Sequence, residues 1–321
     1  MEIKGFRISE TIDKLTLRNS ILIKDVADLS PSGFDLKGTF ECGQSFRWNK
    51  KDSERYAGIV RGKSVLVSLR DNRHLLIENS TSEDFDTLWH SYFDLSTDYS
   101  PIIRKVDIDS YMNRAVSYSG GVRMLAQDFE ETLFSYILSS QNNIPRIKNL
   151  VESLCKLYGD EIIDTSSKEL PSEFSGFSFP PAEVLARRFC DSDRITCRSN
   201  DLCDKPFGGY RCPYIKNTAR MLVSGDVVIN REELALMNAD DARKELCRFP
   251  GVGEKVADCV LLYSGIHKDV CPIDTWVEKT IRTEYLDVNA SKKEIRSFTE
   301  SYFGAHAGYA QLWFFNYARN K

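Results

Sequence analysis

The chain has 321 residues, 42% of them apolar, with a formal net charge of −4 and a pI near 5.7. A chain of this length can bury a substantial core and is expected to form two domains, or three. It has no run of about 18 apolar residues, which excludes a membrane-spanning helix, and its first residues, MEIKGFRISE, lack the apolar stretch of a secretory signal. We therefore expect a soluble protein that stays in the cytosol or reaches the nucleus.

The acidic net charge does not by itself indicate a nucleic-acid-binding protein, because phosphate neutralisation requires Lys and Arg on one surface. Basic residues do exceed acidic ones over residues 187–220, which fits either a basic binding face or a solvated loop. In a reducing compartment the nine cysteines favour buried thiols over disulfides. Four of them, Cys190, Cys197, Cys203 and Cys212, share one polar stretch, but their spacings contain no CxxC pair typical of zinc or iron–sulfur sites.

The first third of the chain has the pattern of β-strands. Strands are predicted in SILIKDV, RYAGIV, SVLVSLR and HLLIENS, and short polar joints such as RGK and RDN separate them. This predicts an antiparallel meander. From residue 82 the apolar spacing becomes helical, and helices are expected to dominate from about Met124 to the C-terminus. The fold class is therefore α+β, with a β-rich N-terminal domain followed by a larger helical one.

Two predicted helices meet at a polar corner in the helical part. The first, DFEETLFSYILSS, ends at Gln141, Asn142 and Asn143, and Pro145 opens the second. The stretch from about residue 174 to 213 is rich in Ser, Pro, Cys and charge. It is predicted to be an irregular surface excursion.

A helix, a tight turn and a second helix are predicted over residues 239–265. Asn238 caps a helix that stops at Pro250, Gly251-Val252-Gly253 follows, and a second helix runs from about residue 254 to 264. The glycines allow positive φ and close approach to another molecule, and the free N–H groups that open the second helix form an anion site. The pattern predicts a clamp for a phosphate backbone, although such a turn also serves as a mere connection.

Lys255 and Asp274 are the candidate catalytic residues. Lys255 lies in the first turn of the second helix, on the same face as Cys259, where the helix dipole disfavours a positive charge. Asp274 is placed to cap the next helix and also to face the lysine. Because a protonated lysine is no nucleophile, its amine needs partial desolvation or a base. Asp274 is suited to orient that amine and to stabilise positive charge on an opening sugar ring.

Five sequence motifs extend this interpretation. RFPGVGEKVADCVLLY is followed by CPIDTW, and ECGQSFRW at 41–48, SSQNNIPRI at 139–147, GGYR at 208–211 and GYAQLWFF at 308–315 occur elsewhere in the chain. Together they resemble the helix-hairpin-helix DNA glycosylases and, within them, the 8-oxoguanine DNA glycosylase family. The resemblance spans most of the chain. It implies a β-rich domain over 1–118 with a sheet like that of the TATA-binding protein, and an all-helical glycosylase domain over 119–321 with the hairpin at 239–265.

The resemblance implies a bifunctional DNA glycosylase and apurinic/apyrimidinic (AP) lyase of base excision repair. Such an enzyme flips an oxidised purine, preferentially 8-oxoguanine opposite cytosine, out of duplex DNA. Lys255 is the implied Schiff-base nucleophile and Asp274 the catalytic carboxylate. The implied partner is damaged double-stranded DNA, bound by a monomer without a cofactor, an iron–sulfur cluster, a catalytic metal or a membrane.

The same resemblance implies a base pocket. Cys259 and Phe315 are implied to sandwich the flipped base, and Gln311 to bond its Watson–Crick edge. The carbonyl of Gly43 is implied to accept the N7 hydrogen that oxidation adds to guanine. A normal guanine presents an acceptor at N7 instead, so this contact would separate lesion from normal base.

Contacts with the DNA backbone and the opposite strand are implied as well. Tyr210 is implied to wedge into the helix, while Arg146 and Arg211 bond the cytosine left behind. Backbone carbonyls of Cys247, Phe249 and Val252 are implied to hold a structural cation. The residues implied to contact DNA are Gln141, Asn142, Asn143, Arg146, Tyr210, Arg211, Gly251, Val252, Gly253 and Trp276.

Two positions depart from the family pattern. Gln141 stands where the family usually has asparagine, at the site that fills the gap left by the flipped base, and Trp276 stands where it usually has histidine. Glutamine keeps the amide on a longer arm. Tryptophan donates one hydrogen bond and carries no charge, so the expected phosphate contact is weaker. We expect these changes to affect the opposite-base preference and the lesion range rather than the reaction.

Two alternative functions remain at this point. A monofunctional alkylbase glycosylase of the same superfamily also combines a β-rich domain with the hairpin, but it activates water and has no lysine at the position of Lys255. A non-catalytic DNA-binding protein would use the hairpin only as a clamp, which gives no reason for Lys255 and Asp274 to occur together. An endonuclease III type carries four cysteines after the hairpin for an iron–sulfur cluster, whereas the last cysteine here is Cys271.

Overall fold

The structure is a computed structural model that describes residues 1–12, 18–163, 174–188, 208–225, 227 and 229–321. Its N-terminal part contains a seven-stranded antiparallel sheet with the spatial order β1-β2-β3-β7-β6-β5-β4. The strands are β1 Glu2–Ile3, β2 Phe6–Ile12, β3 Asn19–Ile23, β4 Trp48–Lys50, β5 Tyr56–Val60, β6 Lys63–Arg70 and β7 His74–Glu78.

The sheet consists of two meanders joined edge to edge. Strands β5, β6 and β7 pair in succession, as predicted. Strand β3 pairs instead with β7, with Ser20 opposite Glu78 and Ile23 opposite Leu75. The chain forms helix α1, Leu36–Glu41, between β3 and β4, and β4 then joins the far side of the sheet. The sheet is therefore not the single meander that we expected. Strand patterns alone do not specify which edge of a sheet a later strand joins.

Helices make up most of the chain after the sheet, which confirms the α+β order. Side chains cap many of their first turns; Asp109, Asp128, Asn143 and Asn230 each accept a hydrogen bond from a backbone N–H. A π-helical stretch, Phe85–Trp89, lies between α2 and α3. The helices after α1 are α2 Ser82–Asp84, α3 His90–Tyr92, α4 Tyr99–Val106, α5 Ser110–Ser119, α6 Phe129–Leu138, α7 Ile144–Tyr158, α8 Ala182–Arg188, α9 Cys212–Ser224, α10 Arg231–Leu236, α11 Ala239–Leu246, α12 Glu254–Tyr263, α13 Thr275–Glu284, α14 Lys292–Phe303 and α15 Ala307–Asn320.

The described parts of the stretch 174–213, residues 174–188 and 208–213, are less irregular than predicted. The short strand β9, Gly176–Phe177, pairs with β8, Glu161–Ile162, and helix α8 follows. Helix α8 has a physical signal in the sequence, since PPAEVLARR opens with proline and continues with strong helix formers. The surrounding serine, cysteine and charge obscured that signal. Residues 189–207, with Cys190, Cys197 and Cys203, lie outside the described residues.

Two large hydrophobic cores, and a small third cluster of Ala57, Leu66 and Phe174, support the described part of the fold. One lies against the sheet and includes the fully buried Trp48 and Trp89; the other lies among the helices and includes Leu261 and Trp313. Segment 42–46 contributes to the helical core although it belongs to the N-terminal part of the chain. This segment therefore brings residues of the predicted base pocket against the helices. Across the described part of the chain, no helix is both long enough and apolar enough to span a bilayer.

Candidate active site

The predicted helix-hairpin-helix is present. Helix α11 begins after Asn238, whose Oδ1 accepts the Asp241 N–H at 3.0 Å, and α12 ends before Ser264. Gly251 in the turn has a φ of 79°, a conformation that side chains disfavour. Gly253 is exposed and has no side chain to cap α12. The first N–H groups of α12 are therefore open to an anion.

Alanine substitutions at the two glycines are expected to have different effects. A Cβ at Gly251 would lie 2.5 Å from Cδ2 of Tyr214 in addition to its positive φ, so Gly251→Ala should lower the free energy of unfolding by about 1–3 kcal/mol. Gly253 has φ −101°, and a Cβ added there would have no atom within 4 Å, so Gly253→Ala should change stability by less than about 0.5 kcal/mol. Urea unfolding of both variants measures this, and equal destabilisation would contradict the turn geometry.

A buried ion-pair network joins α12 to α11 and α14. Asp258 is fully buried and accepts a hydrogen bond from Nε of Arg243 in α11 at 2.6 Å. Its other oxygen lies 3.0 Å from Nη1 of Arg296 in α14. Removing either partner would leave an uncompensated buried charge, so the network favours one arrangement of the three helices. Lys255, one turn before Asp258, thus projects from a fixed support.

A cavity of about 320 Å³ opens beside the start of α12. Lys255 lines it from the first turn of α12, and Asp274 lines it from the start of α13. The other lining residues are Gly43, Phe46, Tyr136, Ser139, Asn142, Asn143, Ile144, Pro145, Ile147, Thr275, Trp276, Phe315 and Arg319. The structure therefore brings together the two predicted catalytic residues, which lie 19 positions apart in the sequence.

The amine of Lys255 lies over an aromatic ring. Its Nζ is 5.3 Å from the centroid of Tyr136, which stacks on Tyr263 at a centroid distance of 5.6 Å. Lys255 is partly buried, and among the residues that the structure describes it forms no ion pair with Asp274 or another carboxylate. The amine is thus held at the cavity wall without being neutralised by a direct partner.

Asp274 combines a capping role with an unused oxygen. Its Oδ1 accepts the N–H groups of Trp276 at 2.9 Å and Val277 at 2.8 Å, so it caps α13 as predicted. Burial raises the pKa of this carboxyl, and the Val277 N–H together with the positive charge of Lys255 opposes that shift. Within the described residues Oδ2 accepts no hydrogen bond. One carboxylate oxygen is therefore available in the cavity.

Two of the four predicted base-pocket residues, Gly43 and Phe315, line the cavity. Cys259 and Gln311 are each 3% exposed and lie behind its wall. Burial raises the pKa of the Cys259 thiol to about 12 despite the opposing charge of Lys255, so this thiol is neutral at neutral pH. Oε1 of Gln311 accepts the Tyr263 hydroxyl at 3.2 Å. Both are therefore almost inaccessible in this structure, and their contact with a base stays a prediction.

Gly43 is fixed by the buried side chain that follows it. The amide of Gln44 donates to the Arg123 carbonyl at 2.8 Å and accepts the Leu125 N–H at 2.9 Å. Gly43 itself has a φ of 96°, and a Cβ there would lie 2.5 Å from Cδ1 of Ile144. Both the backbone conformation and the available space therefore require glycine at the cavity wall.

The hydroxyl of Tyr136 donates to the Gly43 carbonyl at 3.0 Å. A carbonyl has two lone pairs, so this bond leaves one for a ligand while it orients the oxygen. Tyr136→Phe keeps the ring beneath Lys255 but removes this bond, and we expect base excision to slow about threefold to tenfold. Cleavage of a preformed AP site, which has no base, should be unchanged. Single-turnover rates on the two DNAs check this, and equal loss on both would contradict a role at Gly43.

The polar corner between α6 and α7 carries several predicted DNA contacts. Gln141 is exposed in the left-handed conformation with φ 51°. Asn143 caps α7 by accepting the Arg146 N–H at 3.0 Å, and the Arg146 side chain is exposed. Asn142 lines the cavity and donates to the Leu138 carbonyl at 2.8 Å. The corner thus presents the exposed amide of Gln141 and the exposed guanidinium of Arg146 next in sequence to residues that line the cavity.

Tyr210 and Arg211 lie beside the same corner. Tyr210 is 38% exposed, and its ring is 4.3 Å from Cζ of Arg211. Arg211 is buried; its Nε donates to the Ser140 carbonyl at 2.9 Å and its Nη1 to the Gly208 carbonyl at 3.4 Å. The aromatic ring is therefore accessible to DNA, whereas contact between Arg211 and a cytosine requires some of these bonds to break.

Several cavity residues were not predicted from the sequence. Arg319 follows Phe315 by one helical turn, a spacing that places the two on one face of α15. Ile144 lies inside the SSQNNIPRI motif, but an apolar residue between two polar signals gave no functional pattern. The full set missed from the sequence is Phe46, Tyr136, Ser139, Ile144, Pro145, Ile147, Thr275 and Arg319.

No disulfide joins two of the described cysteines, which are Cys42, Cys155, Cys212, Cys247, Cys259 and Cys271. In the same described ranges no group of His, Cys, Asp or Glu is arranged to hold a metal ion. Cys212 is buried at the start of α9. The other three cysteines of the predicted cluster lie outside the described residues.

Comparisons with known proteins agree with the motifs. Residues 26–133 match the family model described as the N-terminal domain of 8-oxoguanine DNA glycosylase. The chain is 31% identical to N-glycosylase/DNA lyase OGG1 of Arabidopsis thaliana, covering 89% of this chain and 78% of that protein. It is 29% identical to N-glycosylase/DNA lyase of Saccharomyces cerevisiae, covering 85% and 74%. The Clostridium acetobutylicum 8-oxoguanine glycosylase/lyase, solved with double-stranded DNA containing cytosine opposite 8-oxoguanine, gives a TM-score of 0.83 at 30% identity, covering 98% of each chain.

Proposed function

Because this chain belongs to the 8-oxoguanine DNA glycosylase/lyase family of the helix-hairpin-helix superfamily, we propose that it excises 8-oxoguanine from duplex DNA and cleaves the strand through a Schiff base on Lys255. One observation carries this proposal: Lys255 and Asp274 line the same cavity at the start of the helix that follows the hairpin. A phosphate bound at that helix start brings a neighbouring sugar close to the amine.

The reaction uses the two sides of this cavity. The neutral amine of Lys255 attacks C1′ of the flipped nucleotide; the N–C1′ bond forms and the glycosidic bond to the base breaks. The Asp274 carboxylate stabilises the positive charge that develops on the sugar ring. The nitrogen loses a proton, the departing base takes one up, and the sugar ring opens as the C1′–O4′ bond breaks and O4′ is protonated, which leaves a Schiff base between C1′ and Nζ. The Schiff base acidifies the C2′ proton, and loss of that proton with cleavage of the C3′–O bond breaks the strand by β-elimination.

Lesion recognition is assigned to the Gly43 carbonyl. Its second lone pair can accept the N7 hydrogen of 8-oxoguanine, whereas N7 of guanine would face it lone pair to lone pair. Phe315 supplies a stacking face at the cavity wall. Cys259 would complete the sandwich, and Gln311 would supply the Watson–Crick contact. Unstacking costs a few kcal/mol, so these contacts help to hold the flipped base.

Contacts with the opposite strand are assigned to the polar corner between α6 and α7 and to the residues just before α9. The exposed ring of Tyr210 can replace the stacking lost on base flipping, and the amide of Gln141 can fill the gap. Arg146 and Arg211 would donate to the unpaired cytosine. Trp276, 41% exposed at the cavity, would contact DNA without the charge that histidine can carry.

The hairpin also fits a structural cation. Carbonyl oxygens are suitable ligands for hard cations. The Phe249 carbonyl accepts the Val252 N–H at 3.1 Å and retains a second lone pair. With the carbonyls of Cys247 and Val252 it would hold a cation in the turn, which adds positive charge where the phosphate binds.

Excision from duplexes that place 8-oxoguanine opposite each of the four bases tests the proposed function. We expect base release followed by strand cleavage, with the highest rate opposite cytosine. Because Arg211 must break hydrogen bonds to protein carbonyls before it can contact cytosine, the ratio of the rate opposite cytosine to the rates opposite the other bases should be smaller than two freely available arginines would give. A uracil duplex and an alkyl-purine duplex serve as substrate controls. Release from either of these with none from 8-oxoguanine would overturn the substrate assignment in favour of an alkylbase or other glycosylase. DNA binding without any product would favour a non-catalytic clamp.

A further inference from the structure

Arg319 places a positive charge in the wall of the base pocket. Helix α15 carries Phe315 and, one turn later, Arg319, and both side chains line the cavity with Lys255 and Asp274. Arg319 is partly buried. It is therefore not a surface arginine that happens to lie near the rim, and its guanidinium is available to a molecule inside the cavity.

One nitrogen of this guanidinium is tied to the segment that precedes Gly43. Nη1 donates to the carbonyl of Cys42 at 3.0 Å and to the carbonyl of Glu41 at 3.3 Å. A Cβ on Gly43 would lie 3.7 Å from the same nitrogen. These bonds fix the plane of the guanidinium directly beside the Gly43 backbone, so Arg319 and the Gly43 carbonyl form adjacent parts of one wall.

The other two nitrogens are unused. Within the described residues, Nε and Nη2 of Arg319 donate no hydrogen bond and the side chain forms no ion pair. Arg211 provides a contrast, because all three of its guanidinium nitrogens donate to protein carbonyls. A partly buried guanidinium with one nitrogen anchored and two free is suited to donate to a ligand.

The Hoogsteen edge of 8-oxoguanine matches this wall. It presents a carbonyl oxygen at C6, the N7 hydrogen, and a second carbonyl oxygen at C8. If the Gly43 carbonyl accepts the N7 hydrogen, a carbonyl oxygen of the base lies on each side of that bond. A donor fixed beside Gly43 then faces one of these oxygens, so the wall and the base alternate donor and acceptor.

Resting on the function proposed above, we propose that Arg319 is a specificity-determining residue whose free guanidinium edge donates hydrogen bonds to a carbonyl oxygen flanking N7 of the flipped oxidised purine. The contact recognises the base and not the sugar. It therefore accelerates excision and has no part in the cleavage of a site from which the base is already gone.

Arg319 also lies close enough to Asp274 for its positive charge to act on that carboxyl. A role through Asp274, or through the fold of segment 41–43, would affect every reaction at the cavity. The AP lyase reaction uses Lys255 and the same cavity but involves no base. Comparing excision with AP-site cleavage thus separates a base contact from an electrostatic or structural role.

The test is single-turnover kinetics of Arg319→Met on two duplexes, one with 8-oxoguanine and one with an AP site, both opposite cytosine. We expect base excision to fall about tenfold to a hundredfold, the loss typical of a charged hydrogen bond, and AP-site cleavage to change less than about twofold. Lys321→Met, an exposed charge removal at the end of the same helix, is the matched control and should leave both rates unchanged. The same comparison on 8-oxoadenine, which keeps the C8 carbonyl but has an amine at C6, assigns the oxygen involved.

Excision by Arg319→Met at the wild-type rate would overturn the inference, and so would an equal loss of excision and AP-site cleavage. Arg319→Lys keeps the charge but lacks the planar fork; if the methionine variant does not fold, the same selective loss in the lysine variant supports the contact and its absence contradicts it. Failure of the wild-type protein on both DNAs would instead overturn the proposed function.

Discussion

Replacing Lys255 with glutamine is expected to abolish strand cleavage and to slow base release at least about a thousandfold, while DNA binding is retained. The substitution removes the nucleophile but leaves the hairpin, whose backbone N–H groups and turn are the proposed phosphate contacts. Because Lys255 forms no ion pair among the described residues, its loss should cost about 1 kcal/mol of stability or less, mainly the contact with Tyr136. Gel-based cleavage and DNA-binding assays on the same 8-oxoguanine duplex measure the two effects.

Lys244→Gln is the matched control. Lys244 lies in the first helix of the same hairpin, is exposed, and pairs with Asp241 at 2.8 Å. Such a surface pair contributes at most about 1 kcal/mol, so its removal should leave excision, cleavage and binding unchanged. Normal strand cleavage by the Lys255→Gln protein would show that another amine performs the reaction.

Asp274→Asn is expected to slow base excision about a hundredfold or more without unfolding the protein. Asparagine is as good an N-cap as aspartate, so the bonds from Trp276 and Val277 can be kept. What is lost is the negative charge opposite Lys255, which stabilises positive charge on the sugar in a partly desolvated cavity. Thermal melting should show a shift of only a few degrees, and single-turnover kinetics the large loss. Excision within about threefold of wild type would contradict a catalytic role for this carboxylate.

The pH profile gives a second signature of Asp274. Burial raises the pKa of its carboxyl, so the catalytic carboxylate is protonated at a higher pH than an exposed aspartate. Excision should therefore decrease as the pH falls into the acidic range, and the decrease should begin above the usual pKa of aspartate. The free energy of unfolding changes in the opposite direction. Because the pKa of Asp274 is raised in the folded state, protonation of this carboxyl favours the folded state, so Asp274 does not itself cause acid unfolding. The Asp274→Asn protein should not show this decrease in excision at acidic pH. An unchanged decrease would mean that another group causes it.

The elements that could be predicted from sequence are those whose local pattern agrees with their tertiary role. Strand β3 alternates apolar residues toward the core, and helices α11 and α13 begin at the capping residues Asn238 and Asp274. Strand β2 was missed because Ile8 is its single buried residue, so its pattern is weak. The pairing of β3 with β7 depends on the path of the chain through α1, which local alternation does not encode.

The same distinction applies to the site. Lys255 and Asp274 carry local signals, a cation at a helix start and a cap before a helix, and the structure places both at one cavity. Tyr136 carries no such signal and Arg319 only its one-turn spacing from Phe315, because the role of each depends on which face of a helix meets segment 41–46. Cys259 and Gln311 were assigned to the pocket by family resemblance, and the structure holds both behind the wall. Their contact with a base stays a prediction about the DNA-bound state.

Borohydride trapping followed by peptide mapping tests the central chemistry most directly. Borohydride reduces a Schiff base to a stable amine, so the protein incubated with an 8-oxoguanine duplex should become covalently attached to DNA. We predict that digestion and mass spectrometry locate the attachment at Lys255, in the peptide that begins after Arg248. Attachment at the N-terminal amine or at another lysine, or complete base release with no trapped complex, would contradict the proposal that Lys255 attacks the sugar.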